Sequence, residues 1–98
     1  MSRPTELSAD ARDEAMKTLP GWAYHESGKA INKSFKFADF SEAWAFMNRA
    51  ALLAEKMDHH PEWFNVYNRV EVRLTTHDAG GITQFDIDMA AAMERFAA

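Results

Sequence analysis

The sequence lacks cysteine and any long apolar run, and each absence removes a class of protein. Without cysteine there is no disulfide framework, no thiolate metal site and no cysteine nucleophile. No stretch reaches the roughly 18 consecutive apolar residues that a membrane-spanning helix needs. Residues 1–7 also lack the charged-then-apolar pattern of a secretion signal. We therefore expect a cytoplasmic protein that has no membrane partner.

Positive charge is also scarce, because 11 Lys and Arg stand against 15 Asp and Glu, for a formal net charge of -4. Nucleic-acid binding depends on clustered cations that neutralise phosphates, so we expect no nucleic-acid partner. At 98 residues and 47% hydrophobic composition, the chain is long enough for one core and too short for two. We predict a single domain over residues 1–98, with residues 1–7 as a disordered lead-in.

Three segments carry apolar residues at helical spacing and four carry them in alternation, which predicts three helices and two hairpins. Ser8 can cap the first helix. Asp39 opens a capping box at the start of the longest helical pattern, and Pro61 ends that pattern. Thr83 can cap the last helix, with Asp86 at its third position. The strands are predicted over residues 22–26, 31–37, 63–67 and 70–77.

The order helix-hairpin-helix-hairpin-helix indicates an α+β fold, a four-stranded antiparallel sheet with three helices packed on one face. In the last strand Val70, Val72 and Leu74 alternate toward the core, which places Thr75 and His77 on the open face. The last helix has two apolar sides. We therefore expect it to cover the sheet and also to offer a surface to another subunit.

Three of the four histidines fall between residues 55 and 77. His59 and His60 stand where Pro61 ends the long helix, and His77 stands at the end of the last predicted strand. Imidazoles titrate near neutral pH, so a group of them can supply both a base and an acid, as a dehydration requires. Carboxylates that can orient an imidazole come from Glu55, Asp58, Asp78 and Asp86. His25 lies apart, and we expect no role for it.

Two other interpretations compete with a histidine acid-base site. Three histidines and an Asp can hold zinc, but adjacent residues such as His59 and His60 project in different directions and the usual helical His-x-x-x-His spacing is missing. A purely structural interpretation has His59 capping the helix, His60 packing on Trp63 and Asp86 capping the last helix. For Asp86, capping is at least as well supported as a catalytic role.

The same residues carry a resemblance that covers almost the whole chain. The run over residues 55–68, EKMDHHPEWFNVYN, the later Thr75-Thr76-His77 and Asp86 nine residues further on resemble the pterin-4a-carbinolamine dehydratase family. The resemblance implies dehydration of a 4a-hydroxytetrahydropterin to the quinonoid dihydropterin, a step that recycles the pterin of aromatic amino-acid hydroxylases. It implies no metal and no organic cofactor.

Carried over by position, the resemblance implies catalytic roles for His59, His60 and His77. We take His59 and His77 as the acid-base pair and His60 as mainly a ring-binding residue. The residues implied to contact the pterin are Trp22, Glu55, Asp58, His59, His60, Thr75, Thr76, His77 and Asp78. Pro61, Trp63 and Asp86 would support the site.

The resemblance also leaves a function of another class open. Animal members of the family act as dimerisation cofactors of a homeodomain transcription factor, so a protein-binding module is the alternative to an enzyme. A binding-only descendant has no need of the three histidines, and this chain keeps them all. The resemblance further implies a homodimer or homotetramer.

Overall fold

The computed structural model describes residues 4–98, which form three helices, four strands and one turn of 3-10 helix. The helices are α1 (Ala9–Met16), α2 (Phe40–Met57) and α3 (Gln84–Ala97). The strands are β1 (Ala23–His25), β2 (Ala30–Lys36), β3 (Glu62–Val66) and β4 (Arg69–Leu74). The 3-10 turn covers His77–Ala79. The predicted α+β order is confirmed.

The strands form one antiparallel sheet in the order β1-β2-β4-β3. Residues paired across antiparallel strands point to the same face. Ile31 pairs with Leu74 and Phe35 with Val70, and all four are buried. This alternation gives the sheet one apolar inner face and one polar outer face.

All three helices lie on the inner face. Phe46 of α2 packs on Phe35 with ring centroids 4.8 Å apart, and Met89 and Met93 of α3 are fully buried in the same core. Complete burial of a side chain the size of phenylalanine stabilises a fold by about 1.5–3 kcal/mol. α1 joins this face through the Arg12 guanidinium, which lies 3.9 Å above the centre of the Tyr24 ring.

The expected capping residues begin the helices. The Ser8 hydroxyl accepts a hydrogen bond from the Ala11 N–H at 3.1 Å, and an Asp39 carboxylate oxygen accepts from the Glu42 N–H at 2.9 Å. Each bond satisfies a backbone donor that the first turn of a helix leaves without an intrahelical partner. Thr83 and Asp86 form the predicted capping box of α3.

The last strand is shorter than predicted. β4 ends at Leu74, Thr76 forms a single bridge with Gly81, and His77 opens the 3-10 turn. Alternation along a strand therefore does not extend to His77, and the prediction that the strand carries this histidine is wrong. The bridge redirects the chain, because the Thr76 N–H donates to the Gly81 carbonyl at 3.0 Å.

The last helix packs on the core as expected, since Ile87, Met89, Ala90, Ala92 and Met93 are all buried. Phe85, Ala91 and Phe96 are half-buried, and the surface for another subunit stays a prediction. The large exposed apolar side chains lie elsewhere. They belong to α2 and to the β3 hairpin: Phe40, Trp44, Leu52, Phe64, Val66 and Tyr67.

The predicted disordered lead-in falls partly on residues 1–3, which lie outside the described residues. Leu7 is placed against the core, and its backbone N–H donates to the Ile82 carbonyl at 2.8 Å. Glu6 makes an ion pair with Lys29 at 3.6 Å. The ordered chain therefore includes the end of the segment that we expected to be disordered.

Candidate active site

The histidines meet in a cleft where the end of α2, the end of β4 and the 3-10 turn come together. The cleft has a volume of about 210 Å3. Its lining consists of Asp58, His59, His60, Thr75, Thr76, His77 and Asp78. Seven of the nine residues implied to contact a pterin therefore share one concave surface.

The end of α2 directs the adjacent histidines to different surroundings. Asp58 adopts the left-handed conformation, with φ of 51°, and the His59 N–H donates to the Ala54 carbonyl at 3.1 Å. A left-handed residue commonly ends a helix, and Pro61 prevents the preceding residue from continuing it. His59 consequently turns into the protein and is 4% exposed, whereas the His60 side chain is 54% exposed.

His59 enters a buried polar network that begins at Asp86. Its Nε2 lies 2.6 Å from Oδ1 of Asp86, which has no exposed surface. The other carboxylate oxygen, Oδ2, accepts the Thr76 hydroxyl at 2.7 Å and the Thr83 N–H at 2.9 Å. Buried charges are tolerated when hydrogen bonds satisfy them, so the network accounts for a carboxylate in the core. Asp86 thus caps α3 and holds His59 at once.

The other two histidines pair with carboxylates at the surface. His60 Nε2 lies 2.6 Å from Oε1 of Glu55, one turn back along α2. His77 Nε2 lies 3.4 Å from Oε2 of Glu62, which also accepts from Arg73 at 2.8 Å. Glu62 and Arg73 are cross-strand partners on the outer face of the sheet. His77 therefore lies on the outer side of the sheet, as the alternation along the last strand predicted, although it belongs to the 3-10 turn and not to the strand.

Short contacts fix the loop that supplies the threonines and His77. The Thr75 hydroxyl donates to the Lys29 carbonyl at 2.8 Å, which ties the end of β4 to the turn before β2. The Thr76 carbonyl accepts from the Gly80 N–H at 3.0 Å and from the Gly81 N–H at 3.3 Å. These contacts fix the position of the 3-10 turn relative to β4 and to the turn before β2.

Trp22 lies outside the cleft. Its indole N–H donates to Glu94 at 2.8 Å, and its ring meets Phe35 edge-on in the core. Glu55 does not line the cleft, but it contacts His60, which does. Trp63 pairs with Val72 in the sheet and packs against the core, and Pro61 links α2 to β3.

Glu62 and Phe85 lie beside histidines, although the sequence predicted neither contact, and Thr83 belongs to the Asp86 network. Thr83 was predicted only as a helix cap, yet its hydroxyl also lies 2.8 Å from the Thr76 hydroxyl. The Phe85 ring lies 5.6 Å from the His59 ring. Only the capping signature of Thr83 and Asp86 pointed to this part of the site, because the other contacts join distant segments.

A larger concavity of about 360 Å3 borders the cleft through Glu62 on the outer face of the sheet. We place the candidate site in the smaller cleft because the imidazoles line it. Among residues 4–98, no group of three or more His, Cys, Asp or Glu side chains is arranged to hold a metal ion. No helix in the described part of the chain is long and apolar enough to cross a membrane.

The sequence is similar to one protein family and to its individual members. The sequence profile of the family "Pterin 4 alpha carbinolamine dehydratase" matches residues 5–96. A "Putative pterin-4-alpha-carbinolamine dehydratase" of Novosphingobium aromaticivorans is 67% identical over 90 residues, which cover 92% of this chain and 94% of that protein.

Two solved structures share the fold. A "transcriptional coactivator/pterin dehydratase" from Brucella melitensis has a TM-score of 0.93 and 51% identity, covering 96% of this chain and 100% of that one. A "pterin dehydratase-like protein" described as a RuBisCO assembly factor has a TM-score of 0.70 at 20% identity. The match covers 80% of this chain and 90% of that one. The second likeness concerns the fold alone. The profile match and the close relatives together show that this chain belongs to the pterin 4 alpha carbinolamine dehydratase family.

Proposed function

We propose that the protein is an enzyme that dehydrates a 4a-hydroxytetrahydropterin to the quinonoid dihydropterin and water. Family membership supports the substrate class. The single observation that carries the proposal is the cleft into which the fold brings three imidazoles from two distant segments. A cluster of imidazoles suits a reaction that removes one proton and delivers another near neutral pH.

The reaction needs one base and one acid. The N5–H bond of the pterin breaks and its proton passes to an imidazole, while the electron pair forms the double bond between N5 and C4a. The bond between C4a and the hydroxyl oxygen breaks, and a second imidazole donates the proton that releases water. We assign these two roles to His59 and His77 and give His60 the binding of the pterin ring.

The surroundings of the two histidines favour His59 as the base. A neutral imidazole that takes a proton becomes a cation, and the Asp86 carboxylate 2.6 Å away stabilises that charge inside the protein. His77 is 82% exposed and lies 3.4 Å from Glu62. We assign the role of the acid to His77, because its exposed ring can regain a proton from solvent after each cycle.

The remaining cleft residues divide into contacts and supports. Asp58, Thr75 and Asp78 are proposed pterin contacts, with Glu55 acting through His60. Thr76 is 1% exposed and its hydroxyl donates a hydrogen bond to Asp86, so we assign it to support rather than to direct contact. Pro61 and Trp63 hold the ends of α2 and β3. We assign no pterin contact to Trp22, whose indole is committed to Glu94.

A direct assay tests the proposal. A hydroxylase generates the 4a-hydroxytetrahydropterin in place, and its disappearance is followed with and without the purified protein, alongside metal analysis of the sample. We expect faster dehydration, loss of the gain in His59→Gln and His77→Gln, and retention in His25→Gln. His25 is the matched control because it is an exposed strand histidine away from the cleft. No acceleration by the folded wild-type protein would overturn the proposal.

The exposed side of α2 offers a surface for another protein chain, and this surface bears on the second candidate function, a protein-binding module. Phe40, Trp44 and Leu52 are 47%, 55% and 68% exposed, and they recur at spacings that place them on one face of the helix. We predict that a second copy of the chain covers this face in a homodimer or homotetramer. A monomer by light scattering, together with no dehydratase activity, would instead favour the protein-binding module.

The cytoplasmic location and the recycling of pterin for an aromatic amino-acid hydroxylase also stay predictions.

A further inference from the structure

We propose that Thr83 and Thr76 are positioning residues that act through Asp86 to hold His59 in one tautomer, with the ring proton on Nε2. Nδ1 is then the atom through which His59 exchanges a proton with the substrate. The catalytic consequence rests on the proposed function, whereas the tautomer is a property of the folded protein alone.

The four side chains form a continuous buried chain of polar contacts. Thr83 and Asp86 are fully buried, and Thr76 and His59 are 1% and 4% exposed. The contacts run from the Thr83 hydroxyl to the Thr76 hydroxyl at 2.8 Å, from there to Asp86 Oδ2 at 2.7 Å, and from Asp86 Oδ1 to His59 Nε2 at 2.6 Å. Burial leaves little water to exchange with these partners.

The direction of each hydrogen bond follows from the number of hydrogens available. A backbone N–H can only donate, so Thr83 N–H donates to Asp86 Oδ2. The carboxylate has no hydrogen, so the Thr76 hydroxyl also donates to Oδ2. Its one hydrogen is then used, and the Thr83 hydroxyl must donate to the Thr76 oxygen. The Thr83 oxygen accepts the Phe85 N–H at 3.2 Å.

These directions decide the state of His59. Oδ1 of Asp86 is an acceptor, so Nε2 of His59 must carry the hydrogen of the 2.6 Å contact. The opposite arrangement places the proton on Asp86. The two donors at Oδ2 are the partners that an ionised carboxylate accepts, so we place the shared hydrogen on the imidazole.

Only one tautomer is then productive. With Nε2 protonated, the lone pair of the neutral ring lies on Nδ1, and that atom can take a proton while Asp86 balances the new charge. With Nδ1 protonated, a lone pair on Nε2 would face the Asp86 carboxylate, and the ring would have no basic atom on its other side. In a serine protease, an Asp-to-Asn change that leaves the catalytic histidine in the wrong tautomer lowers kcat by about 10⁴-fold.

Asp86→Asn gives the sharpest test. The donors from Thr83 and Thr76 hold the amide oxygen at the Oδ2 position, so the amide NH2 group faces His59 Nε2 and forces it to accept. Nitrogen NMR of protein labelled at histidine distinguishes protonated from bare ring nitrogens. We expect Nε2 protonated in the wild type, Nδ1 protonated in Asp86→Asn, and a kcat lower by about 10²-fold or more in the variant.

Thr76 provides a second test that leaves the backbone cap of α3 in place. Thr76→Ser keeps the hydroxyl and is expected to retain the tautomer and the rate. Thr76→Val keeps the shape but removes the donor, so a mixture of tautomers and a kcat about tenfold lower are expected, in the range found for outer-shell partners of metal-bound histidines. If Asp86→Asn does not fold, this pair still decides the proposal.

The outcomes separate this proposal from the function. A wild-type His59 protonated on Nδ1, or equal tautomers in Thr76→Val and Thr76→Ser, would overturn the positioning network even in an active enzyme. An inactive wild-type protein with His59 protonated on Nε2 would overturn the dehydratase function and retain the network. Unchanged kcat in an Asp86→Asn protein with an inverted tautomer would overturn the role of Nδ1.

Discussion

Two histidine-carboxylate pairs stand next to each other with the same separation and opposite surroundings. His59 and Asp86 are 2.6 Å apart with side chains 4% and 0% exposed, whereas His60 and Glu55 are 2.6 Å apart with side chains 54% and 78% exposed. In water, exposed pairs are screened and contribute little, while a buried carboxylate needs each of its partners. Surroundings rather than distance therefore decide what each pair does.

The difference supports the separate roles that we propose for His59 and His60. The buried pair has a fixed orientation because two further hydrogen bonds hold the carboxylate. The exposed pair can rearrange in solvent, which suits a side chain that closes on a ligand. His77 and Glu62 resemble the exposed pair, with a separation of 3.4 Å at the surface. The cleft thus combines one rigid imidazole with two adaptable ones.

The largest predicted effect separates the two adjacent histidines in catalysis. His59→Gln should lower kcat by about 10²–10⁴-fold, the usual contribution of a general acid or base. His60→Gln should raise KM with a kcat change below about tenfold, because the role that we propose for His60 is binding of the pterin ring. Steady-state kinetics of both folded variants checks this. Equal losses of kcat would remove the distinction between the rigid and the adaptable imidazole.

The second comparison concerns stability. Asp86→Ala removes a hydrogen-bond partner of the buried His59 ring, the Thr76 hydroxyl and the Thr83 N–H. The free energy of unfolding should therefore fall by about 3 kcal/mol. Glu55→Ala removes an exposed partner and should change it by less than about 0.5 kcal/mol. Urea denaturation at neutral pH measures both. Similar losses would show that burial does not distinguish the pairs.

A smaller effect is expected at the third pair. Glu62→Gln removes the carboxylate beside His77, and kcat should fall by about threefold to tenfold because solvent screens the interaction. Glu71→Gln is the matched control, since Glu71 lies on the same outer face and pairs with Arg69. A loss above about 10²-fold in Glu62→Gln would make this carboxylate as important as Asp86.

Salt should give the smallest effect. At about 1 M salt the Debye length falls to about 3 Å, so surface ion pairs are largely screened. The small stability difference between Glu55→Gln and the wild type should vanish in 1 M salt, while that of Asp86→Asn should persist. Repeating the urea titrations in high salt checks both. Persistence of a Glu55 effect would indicate that this pair is shielded from solvent.

Much of the fold followed from local patterns in the sequence. Ser8, Asp39 and Thr83 begin helices as predicted, and the alternation of Val70, Val72 and Leu74 identified the inner face. These features depend on neighbouring residues and backbone sterics, which the sequence contains directly. The prediction extended the last strand too far, to His77, because the Thr76–Gly81 bridge is a tertiary contact that no alternation pattern reveals.

The membership of the cleft was predicted better than its internal pairing. The motif identified seven lining residues, but it did not say that His59 pairs with Asp86, 27 positions away, or His77 with Glu62. Trp22 is not among the residues that line the cleft, and Glu94, 72 positions away, accepts its N–H. Such pairings depend on how α3 and the sheet pack, which local spacing does not determine.

The most direct measurement compares Asp86→Asn with Glu55→Gln. Both replace a carboxylate by its isosteric amide, remove one negative charge and break a 2.6 Å contact to a histidine of the same cleft. With enzymatically generated 4a-hydroxytetrahydropterin, we predict that kcat falls by about 10²-fold or more in Asp86→Asn and stays within about threefold in Glu55→Gln. Comparable kcat values in the two folded variants would contradict the account.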